Sequence, residues 1–176
     1  MAVLTHFPKL RLSELVGRFG GISRGDAIAQ AKKELEAMRG ESESVIEASI
    51  HAMEKIVYAP ATRDRYSDAQ LKQILVLCDQ IVTLAGTFEY VALDQTTRSL
   101  CDVADGLLRT QRPDIASIHV HMRAMHMVNP KAPPLGEEQI AVMLAELRKI
   151  LAHHGFDQIS ASADKISFED VPAVPD

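Results

Sequence analysis

Apolar residues recur along this chain at the spacing of an α-helix, and this feature limits the fold more than any other. In five segments they fall three or four residues apart, which places them on one face of a helix. Proline and glycine separate the segments, and no stretch keeps the period-two pattern of a strand. Aromatic residues make up only 5% of the 176 residues, so Ala, Leu, Ile and Met must fill the core. The sequence therefore predicts an all-α fold.

Start and stop signals give approximate bounds for the predicted helices. A first helix of about 33 residues, roughly 50 Å long, is expected from Ser23 to Val57. A break near Gly40–Ser44 is the alternative, since glycine costs a helix about 1 kcal/mol. Ser67 and Gln70 form a capping box that begins the second helix. The remaining predicted helices run from about Leu93 to just before Pro113, from Asp114 to Asn129-Pro130, and over about Glu137–His154.

These helices predict one main domain with a terminal extension on each side. Residues 23–155 are expected to form an antiparallel four-helix bundle with a long N-terminal helix. Residues 1–22 are expected to be an irregular, basic arm, and residues 156–176 a partly disordered tail. In this arrangement the long first helix extends beyond the bundle, and a homodimer formed through it is left open.

Charge and hydropathy exclude several classes of partner. The formal net charge of −5 argues against nucleic acid, because binding to phosphates needs a basic surface. No segment approaches the ~20 apolar residues that cross a bilayer, and the N-terminus lacks the apolar run of a secretory signal. Cys78 and Cys101 lie inside apolar helical patterns, which favours reduced thiols, although a disulfide between the two helices stays open. A cytoplasmic protein is therefore expected.

Residues 81–100, IVTLAGTFEYVALDQTTRSL, predict two helices joined by a tight bend at Gly86. The stretch resembles the histidine phosphotransfer (HPt) family of antiparallel four-helix bundles, whose signature is roughly His-x-Leu-Lys-Gly before a second helix. Leu84 and Gly86 match the leucine and glycine of that signature. The resemblance places Val82 at the phospho-acceptor histidine and Ala85 at the lysine. Because a valine side chain has no nucleophilic nitrogen, the resemblance implies a site that cannot carry phosphate.

The wider layout is similar to small alphaproteobacterial proteins labelled chemotaxis protein CheE. The similarity includes the Gly-Gly-Ile-Ser start of the first helix, the hairpin, Leu100–Asp102 and the helix after Asp114. Together the two resemblances imply a non-enzymatic adaptor that binds a response-regulator receiver domain or a histidine kinase in a chemotaxis-type two-component pathway. They imply no cofactor. The expected contact surface consists of Thr83, Gly86, Thr87, Glu89 and Tyr90.

The histidines of the fourth predicted helix suggest an alternative function. His119 and His126 are seven residues apart, so they share a face and are expected to be half-buried and hydrogen-bonded. His121 points elsewhere and is expected to be exposed. It is therefore the alternative phospho-acceptor of an active histidine phosphotransferase, with His51 as a similar single candidate. No metal site is expected, because histidines four apart with nearby carboxylates are missing. A structural protein that self-associates through the first helix is the third hypothesis.

Overall fold

The computed structural model describes residues 23–59 and 65–156, which are helical throughout apart from short connections. The all-α prediction is confirmed over these residues, which contain no strand. The predicted N-terminal arm lies outside the described residues, as does the predicted tail apart from Phe156. The helices are α1 (Arg24–Ala37), α2 (Arg39–Val57), α3 (Asp68–Thr87), α4 (Val91–Thr110), α5 (Ala116–Met127) and α6 (Glu137–His154).

The long first helix predicted from the sequence is in fact two helices. The Met38 N–H donates to the Leu35 carbonyl at 3.0 Å, a three-residue spacing that tightens the last turn of α1. The prediction of one continuous helix is therefore wrong, and the break lies just before the Gly40–Ser44 segment. The chain divides into two compact units after Arg39, and the first unit holds α1.

No residue of α1 is buried. Ser23 caps the helix by accepting a hydrogen bond from the Asp26 N–H at 3.1 Å. The apolar side chains Ile28 and Leu35 are exposed, although the sequence pattern had assigned them to the core stripe. Helical spacing shows which face of a helix is apolar, but it does not show that another element covers that face. The buried part of the predicted stripe therefore begins only in α2.

The core of the second unit lies between α2, α3, α4 and α5, and the end of α6 closes it. Helix α4 is central, because it contacts α3, α5 and α6. Each fully buried aliphatic side chain contributes about 1.5–3 kcal/mol relative to an exposed one. The largest are Ile46, Ile50 and Met53 of α2, Ile74 and Ile81 of α3, Leu93, Leu100 and Leu107 of α4, Ile118, Met122 and Met125 of α5, and Leu147 of α6.

Two buried threonine hydroxyls on α4 are satisfied within the helix itself. Thr96 donates to the Ala92 carbonyl at 2.8 Å, and Thr97 donates to the Leu93 carbonyl at 2.7 Å. A hydroxyl that bonds the carbonyl four residues earlier avoids the cost of an unpaired buried donor. These short side chains allow α4 to pack closely against its neighbours.

Helix ends follow the capping signals in the sequence. The predicted capping box is confirmed: Gln70 N–H donates to Ser67 Oγ at 3.3 Å, and Ser67 N–H donates to Gln70 Oε1 at 2.9 Å. Asp114 Oδ1 accepts from the Ser117 N–H at 3.1 Å at the start of α5. Within the described residues, no helix combines the length and the apolar character needed to cross a membrane.

Candidate functional site

Helices α3 and α4 form the predicted hairpin, but its turn lies further along the chain than expected. Gly86 still belongs to the last turn of α3, and the chain reverses at residues 88–90. The Tyr90 N–H donates to the Ala85 carbonyl at 2.9 Å. Glu89 adopts the left-handed conformation, with a φ of 60°. The reversal needs one residue with positive φ, and Glu89 supplies it, so the bend lies about one helical turn beyond Gly86.

Val82, Ala85 and Gly86, the three residues that the resemblance places at the phospho-acceptor, lysine and glycine positions, differ in accessibility. Val82 is half-buried and Gly86 is exposed, one helical turn apart on the same face. Nothing lies within 4 Å of the position that a Gly86 Cβ would occupy. Ala85, at the lysine position of the signature, is a core residue with no exposed surface. Only Val82 and Gly86 are therefore accessible to a partner.

The predicted contact residues on α3 are exposed, on a helix face that also carries the exposed polar residues Asp79 and Gln80. Thr83, Gly86 and Thr87 are exposed, and Val76, seven residues before Thr83, is 69% exposed. Thr83 and Thr87 donate their hydroxyls to carbonyls four residues earlier, at 2.9 and 2.8 Å. Both hydroxyl protons are therefore already used within α3. We call Val76, Thr83, Gly86 and Thr87 the α3 ledge.

The two predicted contact residues in the turn have different environments. Glu89 is exposed. Tyr90 is half-buried, and its hydroxyl donates to Glu43 Oε1 at 2.5 Å. This bond ties the turn to α2 and restrains the Tyr90 ring.

An apolar groove opens directly after the turn. Val91 and Met127 line it and are 62% and 48% exposed, which is high for large apolar side chains. The proline-rich connection between α5 and α6 forms its other wall. We call this surface the hairpin groove; it is lined by Tyr90, Val91, Ala92, Leu93, Met127, Val128, Asn129, Pro130, Ala132, Pro133, Pro134, Leu135 and Ile140.

His121 is buried, so the prediction of an exposed phospho-acceptor at this position is wrong. Its ring has no exposed surface. Nδ1 lies 2.7 Å from the Ser117 carbonyl, and Nε2 lies 2.8 Å from Ser99 Oγ. A carbonyl can only accept, so Nδ1 carries the proton and Nε2 accepts from the Ser99 hydroxyl. His121 is a core residue of α5 that no phosphoryl donor can reach.

Two other histidines share one carboxylate. His51 Nδ1 lies 2.6 Å from Glu54 Oε2, and His126 Nε2 lies 2.8 Å from Glu54 Oε1. The hydrogen bond from His51, together with the charges of His126 and His51, holds the pKa of Glu54 below its usual range against the opposing effect of burial. The His51 side chain is 61% exposed. The sequence showed the His51–Glu54 spacing, but the contribution of His126 depends on the packing of α5 against α2.

His119 and His126 are half-buried, as predicted from their shared face. The His119 ring lies against Tyr58, with centroids 4.9 Å apart. Its Nε2 atom is buried without a hydrogen-bond partner among the described residues. The predicted hydrogen bond is therefore found at His126, which bonds Glu54, and is not found at His119 Nε2. Over the part of the chain that the structure describes, no three His, Cys, Asp or Glu side chains are placed to hold a metal ion.

Fold and site together define a class: an all-α protein in which a helical hairpin presents an exposed ledge and an apolar groove. Comparison of the chain with models of protein families, with curated proteins and with solved structures gave no match. The function is therefore argued from the hairpin and its surroundings.

Proposed function

We propose that the protein is a non-enzymatic signalling adaptor of the cytoplasm, built as an HPt-like antiparallel four-helix bundle. It binds a response-regulator receiver domain or a histidine kinase in a chemotaxis-type pathway and passes no phosphate. The observation that carries this proposal is the position of Val82 beside Gly86, one turn apart on the accessible side of a helical hairpin. An aliphatic side chain occupies the place where a phosphotransfer module needs a nucleophile.

The surface beside Val82 suits a protein partner. Gly86 leaves open space next to the helix, so another backbone can approach α3 closely. The α3 ledge and the hairpin groove expose Val76, Val91 and Met127, and exposed apolar patches of this kind mark interaction sites. The buried Ala85 leaves no cation at the lysine position, which agrees with docking without phosphoryl transfer.

Gly86→Trp tests the docking surface. We expect at least a ~10-fold loss of affinity for the cognate receiver or kinase, about 1.4 kcal/mol, because an indole would occupy the space that the partner enters. The fold should tolerate the change, since nothing lies within 4 Å of the new Cβ. Titration calorimetry against the receiver domains and kinases of one pathway measures the loss.

Gly25→Trp is the matched control. Gly25 is also an exposed helical glycine, its new Cβ would meet only Ser23 Oγ at an ordinary 3.7 Å, and it lies in α1, outside the unit that contains the hairpin. It should leave the affinity unchanged. The adaptor proposal fails if no receiver or kinase binds, or if the two tryptophan variants bind as tightly as the wild type.

The carboxylate-held His51 favours a second candidate, an active histidine phosphotransferase. Glu54 accepts the Nδ1 proton of His51, which leaves the lone pair of the neutral ring on Nε2. A positioned carboxylate next to an accessible imidazole is an arrangement that nucleophilic catalysis uses. This candidate replaces His121, which is buried, with the exposed His51.

Acid-labile phosphate on the protein, after incubation with a phosphorylated receiver, decides between the two functions. If His51 is the acceptor, His51→Gln should abolish the label and Glu54→Gln should slow its appearance about 10-fold, because the ring loses its positioning carboxylate. His153→Gln, at an exposed position on α6, should label normally. If the wild type takes up no phosphate, the transferase hypothesis is eliminated and the adaptor proposal remains.

A further inference from the structure

The two cysteines of the chain lie on the two helices of the α3–α4 hairpin and adjoin the same core cluster. Cys78 precedes the turn by almost as many residues as Cys101 follows it, so an antiparallel pairing places them at the same level. α3 and α4 contact each other more extensively than any other two described helices. Small buried residues along the hairpin, including Ala85, Thr97 and Ala104, let the two backbones approach closely.

The two thiols have different access to solvent. Cys78 has no exposed surface, whereas Cys101 is partly exposed, and both are free thiols. A reagent in solution therefore reaches Cys101 first. Cys101 packs against the core cluster that contains Cys78, so Cys78 is the thiol available to attack a modified Cys101 sulfur.

The interaction between the two thiols also shifts their pKa values in opposite directions. The hydrogen bond from Cys78 is the largest effect that lowers the pKa of Cys101, and Arg98 adds to it, while burial and the carboxylates of Asp102 and Asp79 oppose it. The same hydrogen bond and burial raise the pKa of Cys78. The accessible thiol is thus the one that ionises more readily. A redox-active pair needs this arrangement, because the residue that reacts first must be an accessible thiolate.

We propose that Cys101 and Cys78 form a redox-active dithiol, with Cys101 as the residue that reacts with a hydroperoxide and Cys78 as the resolving residue. The Cys101 thiolate attacks one peroxide oxygen, so that an S–O bond forms, the O–O bond breaks and the leaving oxygen takes a proton to become water or an alcohol. Cys78 then loses its proton and its sulfur attacks the Cys101 sulfur. An S–S bond forms and the S–O bond breaks, with release of water. The two thiols are oxidised and one peroxide is reduced.

Hydrogen peroxide and the full-length chain test this proposal. In the wild type both thiols should disappear together, and peptide mapping without reductant should find Cys78 joined to Cys101 within one chain. Dithiothreitol should restore both thiols. In Cys78→Ala the sulfenic acid of Cys101 should persist and be trapped by dimedone, whereas in Cys101→Ser the buried Cys78 should react at least ~10-fold more slowly.

A measurement on the unmodified chain covers the case in which Cys78→Ala does not fold. Under native conditions, iodoacetamide should label Cys101 at least ~10-fold faster than Cys78, because only the thiolate of the accessible residue is attacked. The proposal is overturned if peroxide yields no cross-link within the chain, if chain-to-chain disulfides account for the lost thiols, or if both cysteines react at equal rates.

Discussion

His121→Ala is expected to destabilise the second unit by about 3 kcal/mol, within the range for removing a large core side chain. This loss corresponds to a melting temperature lower by roughly 6–12 °C for a chain of this size. The ring has no exposed surface, so its removal leaves a cavity, and it also leaves the Ser99 hydroxyl and the Ser117 carbonyl without the bonds they now make. Thermal unfolding followed by circular dichroism measures the change.

His153→Ala is the control for this substitution, because it removes an exposed histidine from α6 and should stay within ~0.5 kcal/mol of the wild type. Should His121→Ala melt no lower than the control, the burial of His121 would be disproved, and the residue would return as a candidate phospho-acceptor.

The burial of His121 should also make stability depend on pH. Burial lowers the pKa of His121 in the folded state below its ordinary value of 6.5, although the bond to Ser117 and the charge of Asp114 oppose the shift. As the pH falls below about 6.5, the unfolded chain binds this proton more readily than the folded chain, so stability is lost. Between pH 7.5 and 5.5 the unfolding free energy of the wild type should therefore decline more steeply than that of His121→Gln. Equal slopes would contradict this.

The sequence did contain a signal for the burial of His121. Ile118, His121, Met122 and Met125 follow the spacing i, i+3, i+4 and i+7, which is the spacing of one helix face. The prediction put His119 and His126 on the apolar face of this helix and left His121 outside it. A polar residue within an apolar stripe is more easily assigned to the wrong side, because its burial depends on partners such as Ser99 that lie on another helix.

Features that depend on neighbouring residues in the chain were predictable. The capping box of α3, the hairpin and the buried stripe of α4 from Leu93 to Leu107 all follow from local spacing. The break at Met38 also lies close to the predicted weak point at Gly40–Ser44. The prediction of one continuous helix was wrong, because a glycine weakens a helix without determining at which residue the helix ends.

Features built from distant segments were not predictable in the same way. The hairpin groove needs the start of α4 to meet the proline-rich connection after α5, which no local pattern shows. The bond from Tyr90 to Glu43 also joins residues far apart in the chain. The same limit applies to Ile28 and Leu35, whose spacing suggested a core although the structure leaves them exposed.

Gly106→Val is expected to destabilise the second unit by about 3 kcal/mol, because a side chain at this position has no room. A Cβ on Gly106 would lie 2.5–2.6 Å from three ring atoms of Phe156. That ring cannot easily move away: it is 2% exposed, it stacks on His154 with centroids 5.2 Å apart, and the Phe156 N–H is bonded to the Leu151 carbonyl at 2.9 Å. Gly40→Val is the matched control, since a Cβ there meets nothing, and it should change the unfolding free energy by no more than ~0.5 kcal/mol.

A double-mutant cycle separates this clash from a general intolerance of valine on α4. Phe156→Ala alone should cost about 3–5 kcal/mol, because it empties the space above Gly106. With the ring gone, the valine side chain introduced by Gly106→Val fills part of that space, so the double variant should be more stable than the sum of the two losses by at least ~1 kcal/mol. Urea unfolding of the four proteins gives the coupling. If the two losses simply add, Phe156 does not pack on Gly106, and the end of α6 is held to the core by other contacts.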